Sequence, residues 1–173
     1  MNVLVVSDTH LGPETLDRMP PEVWDMAREA DVVLHAGDVV HPAVLEELGE
    51  RGPVHAVLGN NDHVLRGRLP EVLALDLGGV RVAMIHDSGA TAGRGPRMQH
   101  RFPDADVVVF GHSHDPLIER TTGGPLLVNP GSPTQRRRQP VHTVAWLELA
   151  DGRVDRAELL EVGPVARVSS TGS

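Results

Sequence analysis

Short runs of Val, Leu and Ile alternate with turn residues along the chain, and these runs define the expected elements. Residues 2–6 (NVLVV) read as a buried strand. Pro21 suits the first turn of a helix over 22–30, and 31–34 (DVVL) form the next strand. Pro42 opens a second helix, 42–50, which Gly52-Pro53 end before a third strand, 53–57. This β-α-β-α-β order predicts a parallel sheet covered by helices.

The pattern then changes. Residues 72–77 and 80–85, joined by Gly78-Gly79, read as a hairpin. A short helix is expected over 96–102 and a fully buried strand over 106–110. Two further strand pairs follow, 116–121 with 125–128 and 142–149 with 153–161, each around a Gly-containing turn. No linker, repeat or low-complexity stretch interrupts the chain. The expectation is one α/β domain over 1–166, with two packed sheets and flanking helices, and a disordered polar tail over 167–173.

The polar residues fall at the strand ends. The first strand runs into Ser7-Asp8-Thr9-His10, the second into His35-Ala36-Gly37-Asp38, and the third into Gly59-Asn60-Asn61-Asp62. The strand 80–85 ends in His86-Asp87, and 106–110 ends in Gly111-His112-Ser113-His114. Ligands of open α/β sheets gather outside the carboxyl ends of the strands. Carboxylates, an amide and imidazoles delivered there are what a metal site needs. The mixture of His and carboxylate suits Mn²⁺, Fe, Zn²⁺, Co²⁺ or Ni²⁺ better than a pure oxygen cage for Ca²⁺ or Mg²⁺.

Composition narrows the chemistry. The 173 residues contain no Cys, so disulfides, thiolate metal sites and cysteine nucleophiles are excluded. With no Tyr, two Trp and two Phe, the core has to be aliphatic, and no base-stacking platform is expected. A formal net charge of -8 argues against general nucleic-acid binding, although bound cations would still let an acidic protein take a phosphorylated substrate. No segment approaches the roughly 20 apolar residues of a membrane span. The N-terminus has no secretory pattern, so the expected location is the cytoplasm.

The ordered set Asp8-x-His10, Gly37-Asp38, Gly59-Asn60-x-Asp62, His86 and Gly111-His112-x-His114 resembles the calcineurin-like metallophosphoesterase superfamily. Asn129-Pro130-Gly131-Ser132 and the small size resemble its compact bacterial and archaeal phosphodiesterase branch. The resemblance implies a four-layer α-β-β-α sandwich of two mixed sheets flanked by helices. It implies two divalent ions, Mn²⁺ first among the candidates above. Asp8, His10 and His114 would hold one ion, Asn60, His86 and His112 the other, and Asp38 both. Two ions about 3.5–4 Å apart would activate a bridging water for in-line attack on a phosphate ester. The catalytic set is then expected to be Asp38, Asn60, Asn61 and His112. The expected substrate is a small phosphodiester or nucleotide-type molecule, and homo-oligomers are common in that branch.

The sequence departs from the family pattern at two positions. Asn61 stands where many members carry a His that protonates the leaving group; a neutral amide cannot serve as an acid, although it can donate a hydrogen bond to a phosphate oxygen. Asp87 stands where Gly is usual, and is expected to orient a His ligand. His35, His41, His55, His63, His100 and His142 read as structural or surface residues, and Arg136-Arg137-Arg138 as a solvated loop that could attract phosphate if it lies near the site. Asn129 and Ser132 are expected to line the pocket. The rival reading is a protein-interaction scaffold, similar to the cargo-recognition subunit of retromer, which has this fold and also lacks that histidine.

Overall fold

Hydrophobic period decides which side of each strand is covered, and the molecule shows this clearly. The structure, a computed structural model, describes residues 1–163. The domain limit expected at 166 and the tail expected over 167–173 lie outside the described residues. Strand β1 (Asn2–Val6) is followed by helix α1 (Pro21–Glu29), β2 (Val32–His35), α2 (Pro42–Gly49) and β3 (Val54–Ala56). The hairpin β4 (Val72–Leu77)–β5 (Val80–Ile85) comes next, then α3 (Arg94–Arg101) and β6 (Val107–Val109). The chain continues through β7 (Leu117–Arg120), β8 (Leu126–Asn129), β9 (His142–Ala150) and β10 (Arg153–Val162). Two short 3-10 turns, Pro13–Arg18 and His63–Leu65, have no apolar periodicity and are not legible in the sequence.

Two five-stranded sheets result, in the orders β10-β9-β1-β2-β3 and β4-β5-β6-β8-β7. Each has a parallel centre and antiparallel margins. β1, β2 and β3 run parallel, and so do β5, β6 and β8. The C-terminal hairpin does not join the second sheet beside its chain neighbours: β9 pairs antiparallel to β1 and closes the first sheet. In β1, Val3 and Val5 face the other sheet, while Leu4 and Val6 face α1 and α2. In β6, Val107 and Val109 pack between the sheets, and Val108 packs with Met98 of α3 and Phe110. Three apolar layers therefore separate four structural layers, the α-β-β-α sandwich the sequence led one to expect.

This architecture positions the site. β1, β2, β3, β5 and β6 present their carboxyl ends to one common edge, where the loops bearing the polar clusters begin. The exposed large apolar residues among those described are Met1, Val64, Val72 and Leu159, which belong to separate elements. No helix among the described residues is long and apolar enough to cross a membrane.

Candidate metal centre

The loops after β1 and β2 are stitched to each other by backbone bonds, from Asp8 N–H to Gly37 O (2.9 Å) and from His10 N–H to Asp38 O (3.0 Å). The loop after β6 joins them where His112 N–H donates to Asp8 Oδ2 (3.0 Å), an oxygen that also accepts from the Ser7 hydroxyl (2.7 Å). With Oδ2 held from two sides, Asp8 Oδ1 is left facing His114 Nε2 at 3.3 Å and His10 Nε2 at 3.9 Å. These three atoms are buried and make no hydrogen bond. An unpaired buried polar atom costs about 1–3 kcal/mol, so three converging on one point make a poor hydrogen-bonded core and a good cation site. The ligand atoms of Asp8, His10 and His114 lie within 4.8 Å of one another, and those of Asp8, Asp38 and His86 do the same.

The second cluster adjoins the first. Asn60 Oδ1 lies 3.1 Å from His86 Nε2 and 2.9 Å from His112 Nδ1. Asp38 stands between the clusters, with Oδ2 3.5 Å from His10 Nε2 and Oδ1 3.5 Å from His86 Nε2. All seven residues expected as ligands are thus brought together, and Asp8 reaches both groups rather than one.

The rings are oriented from behind. His86 Nδ1–H donates to Ala36 O (2.7 Å), and His114 Nδ1–H donates to Gln135 O. Each bond fixes the tautomer that leaves the Nε2 lone pair turned into the site, the usual support for a metal-binding imidazole. Burial alone would raise the carboxyl groups of Asp8 and Asp38. For Asp8 the facing His114 imidazole and the Ser7 hydroxyl outweigh burial; for Asp38, His86 and the Asn61 donors do so, and both groups stay ionised below the usual carboxylate range. Burial lowers His10, whereas in His86 the neighbouring Asp38 and Asp8 outweigh it and raise the ring.

The backbone carries a further sign. Asp8 (φ 55°), His10 (46°), Asp38 (55°), His112 (67°) and His114 (60°) all adopt the left-handed conformation, which non-Gly residues avoid. Eight non-Gly residues do so among those described, and five of them are in this site. Such strain costs about 1–3 kcal/mol per residue and persists where function requires it. Space is as tightly used. A Cβ at Gly111 would overlap the Ser7 hydroxyl and come within 2.6 Å of Asp8 Oδ2. Gly111→Ala is therefore expected to weaken metal binding at least about tenfold, the effect of disturbing ligand support, as read by calorimetric titration; unchanged affinity would contradict this geometry.

Other residues sit differently from expectation. Asp87 orients no ring: it is exposed, and its carboxylate accepts from Gly89 N–H (2.7 Å) in a local turn, because the neighbouring Ala36 carbonyl already holds His86. Asn129 and Ser132 are buried behind the loops rather than lining a pocket. Asn129 Nδ2 donates to Gly111 O (3.1 Å) and the Ser132 hydroxyl to Asp8 O (2.8 Å). Asn61 is turned onto Asp38, donating from its backbone N–H (2.8 Å) and from Nδ2 (2.6 Å) to the two carboxylate oxygens. His35 is structural: it bonds Thr9 Oγ1 (3.0 Å), accepts from Gly37 N–H (3.2 Å), and is pushed by burial down to about 3. His41 caps α2 by accepting from Ala43 N–H (3.2 Å). Arg137 donates to His112 O (3.3 Å) at the rim, while Arg136 turns away to Gln139 O.

Asp62 is the functional-site residue that sequence reasoning left without a role. Its buried carboxylate accepts from Asp38 N–H (3.0 Å), Val40 N–H (2.6 Å) and Gly59 N–H (2.7 Å), and so ties the Asp38 loop to the Asn60 loop. The available signal was its place in a Gly-Asn-x-Asp turn, where Asp side chains commonly bind backbone N–H groups.

Residues 1–152 match the family described as the calcineurin-like phosphoesterase superfamily domain. The chain belongs to this superfamily. A probable metallophosphoesterase of Methanothermobacter thermautotrophicus is 36% identical over 172 residues, covering 96% of each chain. Among solved structures, a predicted phosphoesterase of Streptococcus pneumoniae is 27% identical with a TM-score of 0.70, covering 95% of this chain and 93% of that one. Vps29 of Entamoeba histolytica, complexed with Zn²⁺, shares the fold at 24% identity and a TM-score of 0.71, covering 93% of this chain and 99% of that one. The protein is accordingly a member of a hydrolase family that acts on phosphate esters with metal, and its Asp and His clusters could bind such metal.

Proposed function

We propose that this phosphoesterase is a phosphodiesterase working with two divalent ions, Mn²⁺ foremost, with Asp8, His10 and His114 around one, Asn60, His86 and His112 around the other, and Asp38 shared. The observation that carries the reading is the placement of Asp38, whose two oxygens face His10 of one cluster and His86 of the other, each at 3.5 Å. When bound, the ion pair would supply a nucleophile from water at neutral pH and offset the charge on the phosphoryl group.

The chain's own residues prepare this. Ala36 O and Gln135 O hold His86 and His114 with their free nitrogens inward. Asn61 steadies the Asp38 carboxylate and has no proton to give a leaving group. A substrate whose alcohol leaves readily as an anion therefore suits this site best, which favours diesters of acidic alcohols in an assay. Metal-stripped protein is expected to be inert toward bis-p-nitrophenyl phosphate and to regain turnover with Mn²⁺. If Mn²⁺, Zn²⁺, Co²⁺ and Ni²⁺ all bind and none restores hydrolysis, the catalytic reading fails and the scaffold reading takes its place.

A further inference from the structure

A cleft among the described residues opens onto the candidate metal centre, and its lining is chemically distinctive. It encloses about 630 Å³, and Asn60, His86 and His112 form its inner side. Two guanidinium-bearing residues from separate parts of the fold line the same cleft, Arg66 from the loop after β3 and Arg101 from the end of α3. Leu69 and Val72 add apolar lining.

Neither Arg66 nor Arg101 forms an ion pair with any carboxylate among the described residues, although the chain carries a formal net charge of -8. Arg101 instead lies over the Phe102 ring, 5.5 Å from its centroid. Two carboxylates share the cleft, Glu71 and Asp87, and Asp87 is turned to the Gly89 N–H of its own turn. Two guanidinium groups without an ion pair thus share the cleft with one carboxylate, Glu71, that has none either. Arginine's planar fork matches the oxygens of a phosphate, and a volume of this size holds a nucleotide-sized group.

We infer that this cleft selects diesters in which one alcohol portion carries a second phosphate, with Arg66 and Arg101 binding that phosphate while the ester phosphorus lies over Asn60, His86 and His112. This rests on the phosphodiesterase reading above. The substrate class is then a nucleotide-like diester with a terminal phosphate. The sugar or base would lie against Leu69 and Val72. In this arrangement Arg66 and Arg101 determine specificity, and the reacting atoms are handled at the metal centre.

The test compares four probes on the Mn²⁺-loaded full chain: bis-p-nitrophenyl phosphate, the dinucleotide thymidylyl-thymidine, and the same dinucleotide with a terminal phosphate at its 5′ end and at its 3′ end. The better of the two phosphorylated forms is expected to exceed the plain dinucleotide in kcat/KM by roughly tenfold or more, the scale of a charge-assisted contact. In the double variant Arg66→Gln/Arg101→Gln that ratio is expected to fall close to one. Both side chains are exposed, so the variant should fold, and circular dichroism checks that it does. Equal kcat/KM for plain and phosphorylated dinucleotides, with bis-p-nitrophenyl phosphate still hydrolysed, overturns this inference and leaves the phosphodiesterase reading standing. A ratio that survives the double substitution also overturns it. Absence of turnover on every probe removes the phosphodiesterase reading and this inference with it.

Discussion

Asp38→Asn is expected to lower metal-dependent phosphodiester hydrolysis on the order of a thousandfold while leaving the metal-free protein folded. The residue is almost fully buried, and its two oxygens are directed at the two clusters. The amide keeps the shape of the carboxylate but loses one acceptor oxygen and the negative charge. Either cluster would then face an NH₂ group that cannot coordinate a cation. Metal ions contribute several kcal/mol of stabilisation to a phosphoryl-transfer transition state, and each 1.36 kcal/mol is a factor of ten in rate. The metal-free fold also loses some stability: His86 and the Asn61 donors favour the Asp38 carboxylate over its neutral form, and one of the two Asn61 donors would face the new NH₂ group, so a cost of about 1–3 kcal/mol is expected. Rates on bis-p-nitrophenyl phosphate and urea unfolding of the metal-free protein check the two halves. Turnover within tenfold of the parent enzyme would remove Asp38 from the mechanism.

Asp62→Ala is expected to act in the opposite order, on the scaffold first. Three backbone N–H groups, from Asp38, Val40 and Gly59, converge on this one buried carboxylate. Alanine leaves them without an acceptor, at about 1–3 kcal/mol each before relaxation. A net loss of about 3–5 kcal/mol is expected, a large part of the roughly 5–15 kcal/mol that holds a domain together. Asp38 and Asn60 would also lose their fixed separation, so metal affinity should fall about 10–100-fold in whatever remains folded. Asp62→Asn separates the two effects: it keeps one acceptor oxygen and should recover part of the stability. Urea unfolding without metal and calorimetric metal titration give both readouts. An Asp62→Ala protein as stable as its parent would show that water replaces the carboxylate without cost.

Much of the fold was legible along the chain. The hairpin over 72–77 and 80–85 appears with those limits, and the helices begin at Pro21 and Pro42, the positions proline prefers. These features are written in local periodicity and local turn chemistry. The partnering of strands is not. Nothing in residues 142–162 distinguishes a hairpin beside β8 from one beside β1, because an apolar run reports that it will be buried and leaves open against what. The helix expected over 96–102 begins instead at Arg94, since Gly93 in the left-handed conformation (φ 69°) turns the chain two residues early.

The candidate site divides in the same way. Ligand types at five strand ends, with glycines among them, were evident from order and spacing, because a parallel arrangement sends every such strand end to the same edge. What those residues face was decided by tertiary structure alone. Asp62 gained its role from backbone donors 24 and 22 positions away, at Asp38 and Val40. Asn129 and Ser132 were drawn beneath the loops to satisfy buried carbonyls at Gly111 and Asp8. Arg66 and Arg101 came to line one cleft that neither segment reveals by itself. By itself the sequence determined which chemistry the chain carries, since side-chain type and local conformation are properties of short segments. Only the tertiary structure decided which groups meet, since contacts between distant segments depend on how the sheets and layers close together.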